Sequence, residues 1–434
     1  MAPIKLVYLG GGSTRAPGTL ATFVKHAAQF AGSEMVLVDL EPDSLELVRR
    51  VGQRFIDAEA EGADLKLSAT TDRQSALVDA DAVLSSFRPG GFEARALDEK
   101  IPLKHGVIGQ ETQGPGGFFM ALRSIAVLQQ VTAEMETLCP QAWLINYTNP
   151  INLVSEAITR FSPIRAISLC EGPLYFPAPL AKACGLDPKR LDTVMVGLNH
   201  ACWSVRHLYD GQDVMPRFQQ QRERVLADPA INPVIKRQLQ IACAFEHIPA
   251  DYFQYYYFRD ETLAELQAAP LSRAEYLLTQ APAYLAHYRE QAEAARPYLN
   301  PALSRGGITE LELAVEVLAA IINDENRVLP CNVPNRGALR NFPDERVVEV
   351  PCLVNRHGAT PIGRYELPTR VAGLVEMLGE YQALAAEAAW HGTRADGIRA
   401  LASHPLVLDL PKATTLYDEL AAAHRAYLPE RLLN

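Results

Sequence analysis

Five short, mostly apolar runs stand in the first part of the chain, residues 4–9, 35–38, 82–87, 143–145 and 164–169; the first leads into a glycine turn and the other four end on polar residues. No other feature constrains the fold as much. Strands that are apolar throughout belong to a sheet covered on both faces, which is the usual state of parallel strands. Polar residues at their carboxyl ends mark the edge where an open α/β sheet binds its ligands. The intervals read as helices. Residues 18–24 follow the first strand, and Leu45, Val48, Val51 and Phe55 recur at helical spacing behind the capping pair Asp43 and Glu46. Met120, Ile125, Leu128, Val131 and Met135 line one face of a longer helix. Alternating strand and helix is the signature of the α/β class.

At 434 residues the chain exceeds one typical core. It divides into a Rossmann-type domain over 1–195 and an α+β domain over 196–434, where helical and polar stretches dominate. In the second part, residues 205–209 and 347–354 read as strands, and 374–390 and 396–403 as helices. A net charge of -10 argues against a nucleic-acid or anionic-membrane partner. No apolar run is long enough to span a bilayer. The first residues lead straight into a strand, so no secretory signal is expected. Seven scattered cysteines make no disulfide framework. Together these features point to the cytoplasm.

The candidate site residues lie mainly at strand ends. Gly10-Gly11-Gly12-Ser13-Thr14 falls between a strand and a helix, where glycines let the backbone approach a pyrophosphate and the helix offers free N–H groups. Arg15 stands where such a loop usually has its third glycine. Asp39 closes the second strand, where a carboxylate can accept from a ribose diol and repel a 2′-phosphate, which favours NAD. Residues 109–117, rich in glycine beside Glu111 and Thr112, read as a loop shaped around a ligand. Cys170 and, downstream, His200 can hold a divalent ion and leave positions open for a substrate. In isolation, a cysteine and a histidine are more often core residues than ligands. The aromatic segment 251–258 reads as a core strand, and a tyrosine within it becomes a base only if a cation lowers its pKa. Cys331-Asn332-Val333-Pro334 looks like another strand-end motif but lies far along the chain, and no role is assigned to it.

In order, these motifs resemble glycoside hydrolase family 4, the NAD- and metal-dependent glycosidases, over nearly the full length. The resemblance rests on residues 10–14, 95–104, 109–112 and 146–150, Cys170, residues 197–200 and residues 252–256. Within the family it is nearest to the bacterial 6-phospho-β-glucosidases. It implies a lactate/malate dehydrogenase-like architecture, with NAD held by Gly10, Gly11, Gly12, Ser13, Thr14, Asp39 and Arg88. It implies Cys170 and His200 as ligands of a divalent ion, most often Mn²⁺. Tyr252 would be the base and Glu111 would raise its basicity. Arg95, Asn149, Arg273 and Arg305 would contact the sugar or its phosphate. The implied assembly is a homodimer or homotetramer.

The departure from the pattern is at Glu171. The β-acting enzymes usually carry asparagine after the metal-binding cysteine, and the α-acting ones often carry aspartate as a general acid. Glu171 is therefore a candidate acid, or a residue shaping the subsite for the sugar's C6 group. Two alternatives follow: an α-acting member of the family (6-phospho-α-glucosidase, α-galactosidase or uronidase), and a net NAD-dependent 2-hydroxy-acid dehydrogenase sharing the Rossmann core.

Overall fold

The computed structural model describes residues 3–303 and 312–434. Six parallel strands come first: β1 (Lys5–Leu9), β2 (Glu34–Val38), β3 (Lys66–Thr70), β4 (Ala82–Ser85), β5 (Trp143–Asn146) and β6 (Ala166–Ser168). They are followed by β7 (Leu191–Leu198), β8 (Ala201–Tyr209), β9 (Gln212–Asp213), β10 (Arg327–Pro334), β11 (Val347–Asn355) and β12 (Gly358–Pro361). All twelve belong to one sheet in the order β3-β2-β1-β4-β5-β6-β10-β11-β7-β8-β9, with β12 beside β11. The first six have the doubly wound dinucleotide-binding order. That order reverses between β1 and β4, which is the crevice such folds use for ligands. Beyond β6 the pairing becomes antiparallel, so both expected lobes share one continuous sheet.

Side chains on β1 alternate between two buried layers. Leu6 and Tyr8 enter one, Val7 and Leu9 the other, and all are at most 4% exposed. The long helix Gly114–Leu138 covers one face, with Met120, Ile125, Leu128, Val131 and Met135 all inward. Its amino-terminal end packs against Tyr381 and Tyr417, from the carboxy-terminal helices Thr369–Trp390 and Leu410–Ala423. The two ends of the chain are thus interlocked around one layer.

Two sequence expectations change. The glycines of 109–117 do not all lie in a loop: Gly114, Gly116 and Gly117 are buried in the first turn of the long helix, and only 109–113 remain irregular. The aromatic segment is not a strand. Asp251–Phe253 and Gln254–Tyr257 are short helical turns, because the rings cluster around Trp203 of β8 on successive helical positions. Among the described residues, no helix is long and apolar enough to cross a membrane.

Candidate active site

The turn after β1 is pinned to its neighbour. The N–H groups of Gly10 and Gly11 both donate to the Val38 carbonyl at the end of β2, at 2.9 and 3.0 Å. Gly10 has φ +93°, and a Cβ there would run into the Ser86 carbonyl just past β4. The turn therefore sits in the β1/β4 crevice and needs glycine. Asp39 Oδ2 accepts from the Gly12 N–H at 2.8 Å, which sets the carboxylate at the mouth of the turn. Ser13 Oγ is buried without a hydrogen-bond partner, and the helix Ala16–Lys25 starts with no side-chain cap. A shaped backbone that needs glycine, a carboxylate at its mouth and an orphan hydroxyl fit a dinucleotide.

Across the crevice, Glu111 is clamped by two arginines. Arg88, just beyond β4, lies 2.6 Å from its Oε2, and Arg95 lies 2.9 Å from the same oxygen. Arg95 also donates to Glu99 at 2.7 Å along the helix Gly91–Lys104. Burial alone would push the Glu111 carboxyl up. The charges of Arg88, Arg95 and Arg15 outweigh it and hold the group at about 2. Glu111 is therefore an anion throughout the neutral range.

His200 occupies a tight turn between β7 and β8 at φ +62°. Sparsely populated backbone of this kind is found where the surroundings over-determine it, commonly at functional sites. Cys170, two residues past β6, brings its Sγ to 3.7 Å from His200 Nε2. The other ring nitrogen, Nδ1, is 3.2 Å from Thr112 Oγ1. Gln110 Oε1 accepts from the backbone N–H of Thr112 and of Gln113, so its orientation is fixed, and the Thr112 hydroxyl must donate to it at 3.0 Å. Thr112 Oγ1 is then left to accept from Nδ1–H, and Nε2 faces Cys170 with a bare lone pair. That is the ligating tautomer, set by a neighbour of the ligand.

Burial, then the nearby Glu349 carboxyl, push the Cys170 thiol up to about 12, and burial pushes His200 down to about 4. Both donors are neutral without a cation, and a cation would draw the proton from the thiol. Among the described residues, no three His, Cys, Asp or Glu side chains converge as a metal-binding group. A nitrogen–sulfur pair with no third protein ligand fits an ion that keeps positions open.

Tyr252 stacks its ring on His200, with centroids 3.8 Å apart and planes 7° from parallel. Burial, then Asp251 and Glu111, raise its phenol well above the ordinary value. Glu171 follows Cys170 and opens the short helix Gly172–Tyr175. Asn149, at the turn after β5, has a buried Oδ1 with no hydrogen-bond partner. Arg273 lies at an exposed helix start, its guanidinium over the Tyr276 ring. Its neighbour Ala274 donates its N–H to Glu99 at 2.8 Å, which ties this helix start to the cluster. Arg305 lies outside the described residues.

Several residues were not assigned from sequence. Gln110 and Thr112 lie inside a quoted motif, but only the folded geometry shows that they orient His200. Asn332, in the Cys331-Asn332-Val333-Pro334 segment that was given no role, lies opposite Ser168 across β6 and β10. Glu349 lies opposite Asn332. Its signal was a carboxyl inside an otherwise apolar strand.

Residues 5–186 match the family described as family 4 glycosyl hydrolase, and residues 195–407 match that family's C-terminal domain. The chain belongs to family 4 of the glycosyl hydrolases. It is 35% identical to a probable 6-phospho-β-glucosidase of Bacillus subtilis, over 98% of each chain. It is 34% identical to a 6-phospho-β-glucosidase of Escherichia coli, over 98% of this chain and 96% of the relative. Among solved structures, a 6-phospho-α-glucosidase from gut microorganisms, in complex with NAD and Mn²⁺, superposes with a TM-score of 0.86 at 25% identity, over 99% and 100% of the two chains. The 6-phospho-β-glucosidase of Thermotoga maritima, with manganese, NAD⁺ and glucose-6-phosphate, gives 0.84 at 25% identity, over 98% and 99%. A lactate dehydrogenase of Cryptosporidium parvum, 14% identical over 89% and 99%, gives 0.50 and shares the fold alone.

Proposed function

We propose that this family 4 enzyme hydrolyses 6-phospho-β-glucosides, using NAD⁺ and Mn²⁺. One observation carries the reading: Cys170, His200 and Tyr252 converge on the sheet edge that also holds the glycine turn. The full-length likeness to 6-phospho-β-glucosidases supports the substrate. The functional division lies near residue 195, the product is a homodimer or homotetramer, and the compartment is the cytoplasm. All seven cysteines being free thiols supports that compartment.

Gly10, Gly11, Gly12, Ser13, Thr14, Asp39 and Arg88 hold NAD⁺, and Cys170 and His200 hold the ion. When bound, the first supplies reversible hydride acceptance and the second Lewis acidity toward sugar oxygens, so that the glycosidic bond can break by elimination. This family is an exception to the two-carboxylate scheme of most glycosidases. Tyr252 Oη takes the proton from C2 of the sugar. In the chain alone its phenol is held neutral, and the positive charge of an ion held by Cys170 and His200 would lower it into use. The fixed charge of Glu111 opposes ionisation of the phenol, which makes the phenolate a stronger base once formed. Glu171 gives a proton to the leaving oxygen as the C1–O bond breaks. Arg95, Asn149, Arg273 and Arg305 orient the sugar and its phosphate. Water then adds at C1, so the net reaction is hydrolysis.

A second reading is an α-acting enzyme. It is favoured by the carboxyl of Glu171 directly after Cys170 and by the likeness to the 6-phospho-α-glucosidase. The deciding experiment compares p-nitrophenyl α- and β-glucosides, with and without a 6-phosphate, together with the uronides, in NAD⁺ and Mn²⁺. Parallel reactions omit NAD⁺ or add chelator. Cleavage of the 6-phospho-β-glucoside alone, lost without NAD⁺ or metal, is the expected result. Cleavage of an α-linked or unphosphorylated sugar overturns the substrate assignment and makes Glu171 the specificity determinant. Steady NADH release without glycoside cleavage overturns the hydrolase reading.

A further inference from the structure

Glu349 is 1% exposed in the middle of β11, among valines. A buried carboxyl carries a desolvation cost that a leucine of similar size would avoid. Stability alone does not call for it there. The register of the sheet shows what it touches. Ser168, Asn332, Glu349 and Gly197 stand side by side across β6, β10, β11 and β7. Cys170 follows Ser168 by two residues, and His200 follows Gly197 by three. Glu349 Oε1 accepts from Asn332 Nδ2 at 2.9 Å and from Asn199 Nδ2 at 3.0 Å. Asn332 Nδ2 also lies 3.3 Å from the Ser168 carbonyl, to which it donates. One carboxyl oxygen therefore ties the strand that delivers Cys170 to the turn that delivers His200. Those two elements are not sheet neighbours, and β10 and β11 separate them.

We propose that Glu349 is a positioning residue that sets the spacing of Cys170 and His200 and thereby the affinity of the divalent-ion site. The inference rests on the reading of that pair as ion ligands. What matters is an acceptor oxygen at this point, so Glu349→Gln keeps the tie and Glu349→Leu removes it.

The test titrates Mn²⁺ into the full-length, NAD⁺-loaded protein and reads free Mn²⁺ by electron paramagnetic resonance. Thermal unfolding and the NAD⁺ Kd are measured alongside. Glu349→Leu is expected to raise the Mn²⁺ Kd by about 10–100-fold, the usual effect of losing a partner behind the ligands, while Glu349→Gln stays within about threefold of wild type. The NAD⁺ Kd is unchanged in both, because the glycine turn lies on other strands. Should Glu349→Leu fail to fold, Asn332→Ala cuts the same tie on the Cys170 side and is expected to weaken Mn²⁺ in the same direction. A folded Glu349→Leu, or in its absence Asn332→Ala, with wild-type Mn²⁺ affinity overturns the proposal and leaves the ligand pair standing, whatever the melting temperature does. Equal losses in the glutamine and leucine variants also overturn it. Cys170→Ala and His200→Ala controls that bind Mn²⁺ as wild type does would remove the ligand reading and this inference together.

Discussion

Tyr252 shows how far a single side chain can be argued. Its phenol is neutral in the chain alone, because burial and two carboxylates oppose ionisation. If it is the base, Tyr252→Phe lowers kcat by about 10²–10⁴-fold, the usual share of a positioned acid or base. NAD⁺ binding, followed by fluorescence quenching, stays at the wild-type level, and a variant within a few-fold of wild-type turnover removes Tyr252 from the role. His404 carries one part of the pH dependence of stability. The Gly114 N–H donates to its Nε2 at 3.2 Å, and burial pushes the ring down to about 3. The folded state keeps this imidazole neutral while the unfolded chain protonates it below about pH 6.5. The contribution of this group is therefore full above that pH and is lost as pH drops toward 3. Between pH 6 and 4, urea unfolding of wild type is expected to lose about 1.4 kcal/mol per pH unit more than that of His404→Gln. Parallel slopes for the two proteins would refute this.

At the scale of elements, the turn after β1 is the most constrained. It must pass between β2 and β4 and accept a left-handed residue. Gly10→Ala sets a methyl group against the Ser86 carbonyl in a backbone conformation that alanine disfavours. It is expected to cost more than about 1 kcal/mol of stability. The NAD⁺ Kd is expected to rise at least about tenfold, while the Mn²⁺ Kd, set at β6 and β7, changes little. Calorimetric titration of both ligands checks this. The same element was legible beforehand, since a strand, a glycine run and a helix in succession can be read from local composition. The aromatic segment was not. Its rings are spaced closely enough to suit a strand or a helix, and only packing around Trp203 selects the helical turns.

The whole molecule is held together by contacts between distant parts of the chain. Asp98, inside the motif 95–104, is fully buried and takes two bonds from Arg123, at 2.9 and 2.6 Å, with His424 near the carboxy terminus 2.8 Å away. Asp98→Ala leaves the Arg123 charge buried and unpaired and is expected to cost about 3–5 kcal/mol, read as a lower guanidinium midpoint at unchanged m-value. An effect below about 1 kcal/mol would mean that water reaches the pair. The local pattern of the sequence determined five of the six parallel strands, the place of the glycine turn and the residues standing at strand ends, because strand periodicity and turn chemistry are short-range; the half-exposed edge strand β3, with its mixed Lys66-Leu67-Ser68-Ala69-Thr70, carried no such pattern. Tertiary structure alone decided that β10 and β11 enter the sheet between Cys170 and His200, that Asn332 and Glu349 bridge them, and that Thr112 sets the His200 tautomer. The first two depend on antiparallel register between segments more than a hundred residues apart and the third on a contact between a loop and a distant turn, and no local pattern encodes which distant strand will pair or which buried polar atoms will then need each other.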